Sequence, residues 1–147
     1  MECEKMIMKI PRIYFLCAQN RCRSQMAEAF AKHYGGEQVI VESAGLEPAD
    51  SLHPFTNEVM KEVGIDLSQN ACKKIDMKYF ISANAIVKLC EQVIERCPIV
   101  PFHIMNVEWN ITDPLAEGGT IHDVRRTRDE IRDKVIDLLK GMNIPIV

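Results

Sequence analysis

The segment Cys17-Ala18-Gln19-Asn20-Arg21-Cys22-Arg23-Ser24 sets a cysteine, five intervening residues and an Arg-Ser pair in one short stretch. A thiol, an invariably charged guanidinium and a hydroxyl at this spacing are the parts of a nucleophile facing an oxyanion. If the stretch runs from a strand end onto a helix N-terminus, successive backbone N–H groups turn into one concavity. The helix dipole there adds roughly half a positive charge. Arg23 offers a planar fork of donors that matches two oxygens of a tetrahedral oxyanion. A thiol in such a field is stabilised as the thiolate, the form that attacks, so Cys17 is the candidate nucleophile. Ser24 can donate its hydroxyl to that sulfur, and Asn20 can brace the loop through its amide. Ala18, Gln19, Asn20, Arg21, Cys22, Arg23 and Ser24 are the candidate oxyanion ligands. The plainer alternative is a buried strand-end cysteine beside a solvated first-turn arginine. The loop does not say which oxyanion it holds.

The elements that would position this loop are legible on either side of it. Arg12–Cys17 (RIYFLC) is a continuous apolar run rich in β-branched and aromatic residues, the pattern of a strand buried on both faces. Ser24–Tyr34 carries Met26, Ala27, Phe30, Ala31 and Tyr34 at helical spacing, an amphipathic helix stopped by Gly35-Gly36. Further strands are predicted over Val39–Glu42, Ala85–Leu89 and His103–Trp109. A helix is predicted over Pro54–Val63, with Phe55, Val59 and Val63 on one face, and a long one over Thr120–Lys140. The long helix has the apolar stripe Ile121, Val124, Ile131, Val135 and Leu138, and Thr120 with Asp123 resembles a capping box at its start. Strands alternating with helices imply α/β architecture, a four-stranded parallel sheet with helices on both faces. Ligands in such sheets bind where strand C-termini meet helix N-termini, which is where Cys17 stands.

Three more residues invite a chemical reading. Asp113-Pro114 follows the last predicted strand, on a loop brought to the same sheet edge as Cys17, and proline restricts the residue before it. Alone, such a pair is usually a turn. Cys90 and Cys97 bracket a stretch that can be helical, EQVIER. Two helical turns would leave their sulfurs on one face about 10 Å apart. A disulfide needs Cα atoms within ~7 Å, so pairing would require the stretch to unwind or bend. On spacing alone the reading as two ordinary buried thiols is the favoured one. Zinc is disfavoured: there is no C-x2-C pair and the four histidines show no ligand spacing, so no metal is expected.

Composition bounds the rest. A chain of 147 residues suits one domain, and 47% apolar with 27% charged residues removes disordered and low-complexity classes. The expected organisation is a flexible leader over residues 1–10 and a single catalytic α/β domain over 11–147. A net charge of −3 leaves no basic field for nucleic acid. The longest apolar runs fall short of the ~20 residues that span a bilayer, and Met1–Ile10 does not read as a signal peptide, so no membrane partner and a cytoplasmic location are expected. Six cysteines in a reducing compartment are more often catalytic, metal-binding or buried than a disulfide framework. Cys3 and Cys72 read as incidental thiols, and Cys22 has no assigned step.

Taken together, CAQNRCRS with SQMAEA after it, ESAG (42–45), VMKEVGIDLS (59–68), LC-x6-CP (89–98) and WNITDP (109–114) resemble the low-molecular-weight protein tyrosine phosphatase fold. Within it they resemble more closely the thioredoxin-coupled arsenate reductases, from about Arg12 to Leu139. The resemblance implies reduction of arsenate to arsenite. Cys17 would be nucleophile, Arg23 oxyanion ligand, Asp113 the general acid for the departing oxygen, and Cys90 and Cys97 a relay carrying the oxidation outward. It implies no bound cofactor, an external thiol reductant such as thioredoxin, and an arsenate- or phosphate-like oxyanion as ligand. The sequence departs from the family pattern at Lys88 and Glu91, where threonine and glycine are common. Phosphatases of this fold commonly place a tyrosine after the Asp-Pro, where Leu115 stands here, and this favours a small inorganic substrate over an aryl phosphate. The alternatives are a tyrosine phosphatase, or weak phosphatase activity beside the reductase, and a non-enzymatic thiol redox sensor.

Overall fold

The computed structural model describes residues 10–147. Apart from Ile10 the expected leader lies outside the described residues, as does Cys3. Strand β1 (Arg12–Cys17) is buried at every position after Arg12, because its run of large apolar side chains has no polar alternation to offer solvent. It pairs in parallel with β2 (Ile40–Gly45) on one side and β3 (Ala85–Lys88) on the other. Strand β4 (Met105–Glu108) extends the sheet beyond β3, giving the order β2-β1-β3-β4. The chain leaves β1 for one neighbour and later returns to its other side. The C-terminal end of β1, occupied by Cys17, is therefore the topological switch point of the sheet.

Helix α1 (Arg23–Gly35) follows the loop, and its chain reverses at Gly36, whose φ of 54° needs no Cβ to be accommodated. The expected amphipathic pattern is only half the story. Arg23 through Ala31 are all buried, including Ser24, Gln25 and Glu28, because these polar side chains are satisfied by the loop and its surroundings. Helix α2 (Pro54–Lys61) begins with proline in its first turn and is capped by His53 Nδ1, which accepts from Phe55 N–H at 3.1 Å. It ends before the predicted Val63, which is exposed, because Gly64 at φ +82° turns the chain and Ile65 N–H returns to Met60 O at 3.0 Å. A short helix α3 (Met77–Ser82) was not predicted: Phe80 is its one fully buried side chain, which leaves no apolar period to read.

Helix α4 (Glu91–Arg96) occupies the stretch between Cys90 and Cys97. Helix α5 (Ile121–Gly141) carries the capping box of Thr120 and Asp123 and buries Val124, Thr127, Ile131, Val135 and Leu139. Leu139 rather than Leu138 is fully covered, so the buried stripe drifts by one position near the C-terminus. Helices α1 and α2 each pack on α5, while α3 and α4 contact the sheet. Among the described residues no helix is long and apolar enough to cross a membrane.

Candidate active site

The loop after β1 is shaped from behind. The carbonyls of Cys17, Ala18 and Gln19 accept from Leu46 N–H (3.2 Å), Glu47 N–H (2.9 Å) and Ala49 N–H (3.0 Å) in the segment after β2. The carbonyl of Asn20 accepts from Gln25 Nε2 at 3.2 Å. That of Arg21 accepts from His53 N–H at 3.2 Å and Thr56 Oγ1 at 2.9 Å. In a planar trans peptide the C=O of one residue and the N–H of the next point opposite ways. Five carbonyls held outward therefore turn the N–H groups of residues 18 to 22 inward, around Cys17. One of them is already engaged: Asn20 N–H donates to Cys17 Sγ at 3.3 Å. The loop can approach β2 so closely only because residue 45 is glycine. A Cβ there would lie 2.8 Å from Asn20 N and from Gln19 C.

The side chains around the sulfur are ordered by one anchor. Asn20, at φ 54°, presents Oδ1 to the Lys73 N–H (2.8 Å), which can only donate, so the orientation of its amide is set. Its Nδ2 then donates to Ser24 Oγ (2.7 Å) and Ser43 Oγ (2.9 Å). Ser24 Oγ accepts from Asn20 and lies 2.8 Å from Cys17 Sγ, which leaves its own hydrogen for the sulfur. Cys17 Sγ thus has a hydroxyl and a backbone N–H within hydrogen-bond reach.

Arg23 Nη1 donates to the Ile111 carbonyl at 2.7 Å, and its Nη2 stands 4.0 Å from Asp113 Oδ2. Asp113 Oδ1 accepts from Leu115 N–H at 2.9 Å, an Asx turn that holds the carboxylate at the rim with a third of its side chain exposed. Two adjoining cavities meet here. One, of about 240 Å³, opens over Cys17 and the loop and is walled by Gln92, Arg96, Asp113 and Leu115. The other, of about 520 Å³, reaches Cys90. Arg23, Gln92 and Asp113 border both. Cys90 itself is buried immediately before α4, Cys97 is half-buried immediately after it, and both are free thiols.

The remaining thiols differ in environment. Burial pushes Cys22 up to about 11, opposed by the nearby Thr56 hydroxyl, so this loop thiol stays protonated as part of the wall. Burial also raises Cys97, opposed by the charge of Lys88, and raises Cys72. His53 is lowered by burial and by the neighbouring Arg21. Among the described residues no cluster of three or more His, Cys, Asp or Glu side chains is arranged to hold a metal. Sequence reasoning missed Gln92 and Arg96, whose presence over Cys17 depends on how α4 crosses the sheet edge. It also missed Gly45, although a glycine at a strand end is a signal of close backbone approach.

Residues 12–144 match the low molecular weight phosphotyrosine protein phosphatase family. An arsenate reductase of Bacillus subtilis (strain 168) is 42% identical over 127 residues, covering 84% of this chain and 91% of the relative. A thioredoxin-dependent arsenate reductase of Corynebacterium glutamicum superposes with a TM-score of 0.77 at 27% identity; the match covers 95% of this chain and 65% of that longer one. A structure described as an arsenate reductase in the phosphate binding state gives a TM-score of 0.75 at 30% identity, over 89% of this chain and 98% of the other. With the match running from the first residue of β1 to beyond the end of α5, the chain belongs to the low molecular weight phosphotyrosine protein phosphatase family.

Proposed function

We propose that the chain is an arsenate reductase that passes its oxidation through Cys17, Cys90 and Cys97. Arsenate sits among the loop N–H groups of residues 18 to 24 with Arg23 bridging two of its oxygens. The Cys17 thiolate attacks arsenic while Asp113 protonates the departing oxygen, which leaves as water or hydroxide and yields a Cys17–S–As(V) adduct. The Cys90 sulfur then attacks the Cys17 sulfur. The S–As bond breaks with its electron pair going to arsenic, so arsenite leaves and a Cys17–Cys90 disulfide remains. Cys97 attacks Cys90, Cys17 departs as thiolate, and the disulfide now joins Cys90 to Cys97. An external dithiol protein of the thioredoxin kind supplies two electrons to reopen it. A relay that begins and ends in free thiols suits a reducing compartment, so we place the chain in the cytoplasm.

The observation that carries this reading is the shared wall of Arg23, Gln92 and Asp113 between the cavity of Cys17 and that of Cys90, with Cys97 at the far end of a six-residue helix. A phosphatase, whose second nucleophile is water, has use for neither Cys90 nor Cys97. The arsenate reductases that resemble the chain support the same reading. The test is a coupled assay with arsenate, thioredoxin, thioredoxin reductase and NADPH, run beside an aryl phosphate. Sustained arsenate-dependent NADPH oxidation, lost in Cys17→Ser and far exceeding aryl phosphate turnover, is the expected outcome. Rapid ester hydrolysis without arsenate turnover would instead make the chain a phosphatase.

A further inference from the structure

Glu28 is a carboxylate on the buried face of α1, its side chain only 4% exposed. Its Oε1 accepts from Ser43 Oγ at 2.5 Å and from Lys73 Nζ at 3.3 Å, and its Oε2 accepts from Lys32 Nζ at 2.6 Å. Lys73 is held in turn by Glu42 Oε1 at 2.7 Å. The mechanism above uses none of these groups. Yet they begin a chain of donors in which each link dictates the next. Ser43 gives its only hydrogen to Glu28, so toward Asn20 it can only accept. Asn20 spends one Nδ2 hydrogen on Ser43 and the other on Ser24. Ser24, accepting there, has its hydrogen free for Cys17 Sγ. The donors thus diverge at Asn20: one Nδ2 hydrogen leads through Ser43 to Glu28, the other through Ser24 to the sulfur.

We infer that Lys73 is a positioning residue for the Cys17 nucleophile: its ammonium holds Glu28 as a charged acceptor, and its backbone N–H sets the Asn20 amide, so that Ser24 is kept as a donor to the thiolate. A buried carboxylate is tolerable only when paired. Lys32, the other cation on Glu28, is more than half exposed and reaches the oxygen that Ser43 does not use. Burial works against the charge of Lys73, but the hydrogen bond to Glu42 and the field of Glu28 outweigh it and raise its pKa, so the ammonium stays charged through the neutral range. Three side chains, Ser43, Asn20 and Ser24, link Glu28 to the sulfur, and a charged Glu28 acts on it by keeping Ser43 an acceptor for Asn20 and so holding the amide that orients Ser24.

This inference rests on Cys17 being the nucleophile but not on arsenate being the substrate, so its test begins with a reaction that needs no oxyanion. The rate of Cys17 alkylation by iodoacetamide at pH 7 is followed by mass spectrometry of the Cys17 peptide, beside kcat and KM for arsenate. Lys73→Gln keeps a hydrogen-bond donor to the carboxylates and removes the charge. It is expected to slow Cys17 alkylation and kcat roughly tenfold while KM changes less than about twofold, because the loop amides and Arg23 are untouched. Lys73→Arg restores the charge and recovers most of both rates. Ser43→Ala cuts the chain between Glu28 and Asn20, leaves every charge in place, and is expected to slow Cys17 in the same direction even if Lys73→Gln fails to fold. Wild-type alkylation and kcat in folded Lys73→Gln or in Ser43→Ala, or a loss in Lys73→Gln that Lys73→Arg does not recover, would overturn the inference. Slowed alkylation in a protein that does not turn over arsenate would uphold Lys73 and refute the reductase reading alone.

Discussion

Asp113, the general acid of the proposed mechanism, stands at the rim of the site with a third of its side chain exposed. Its Oδ1 is committed to Leu115 N–H, and its Oδ2 faces Arg23 across 4.0 Å, at the border of both cavities. In the proposed mechanism the oxygen nearer Arg23 is the one that serves the bound oxyanion. Asp113→Asn keeps the Asx turn, since the amide oxygen still accepts from Leu115, but has no acidic proton. Rapid-quench measurement of the first chemical step should show a loss of roughly 10²–10⁴-fold, with phosphate affinity by calorimetry nearly unchanged. A collapse of phosphate binding in that variant would assign Asp113 a structural role and send the acid elsewhere. Cys22 makes the opposite point. It stands in the same loop, yet burial keeps it a thiol, and position in a motif does not make every cysteine reactive.

At the scale of elements, the oxyanion loop is the product of β1, β2 and α1 together. The three carbonyls held by the segment after β2 can be held there only because Gly45 lets Asn20 and Gln19 lie against it. Gly45→Ala forces a Cβ onto backbone atoms that cannot rotate away. It should cost ~1–3 kcal/mol of stability by denaturant unfolding, as overpacking does, and weaken phosphate binding by displacing the inward N–H groups. Unchanged phosphate affinity in a destabilised Gly45→Ala would mean that the strand gives way and the loop does not. The parts of this arrangement legible in the sequence are those written in local pattern: the apolar run of β1, the Cys17 to Ser24 spacing, Thr120 with Asp123. Helix α3 was not legible because one buried residue makes no period, and β2 runs to Gly45 rather than Glu42 because its pairing with β1, not its propensity, decides where it stops. The wall of Gln92 and Arg96 over Cys17 was beyond reach of pattern, since it depends on the angle at which α4 leaves β3.

For the whole molecule, the parallel sheet brings Cys17 and Cys90 to adjoining cavities, with Cys97 one short helix further on. Cys17 ends β1, Cys90 precedes α4 and Cys97 follows it, all free and with α4 intact. A helix of that length holds its flanking Cα atoms farther apart than a disulfide allows, so closing Cys90 onto Cys97 requires α4 to loosen. In the proposed relay, oxidation moves outward through these three sulfurs in order. Its most direct test is a single experiment on Cys97→Ser, with arsenate, thioredoxin as sole donor, and mass spectrometry of trapped disulfides. About one arsenite per enzyme, followed by a stall with Cys17 joined to Cys90, is the predicted result, because no resolving thiol remains. Multiple turnovers in that variant, or a stall with no Cys17–Cys90 disulfide, would contradict it.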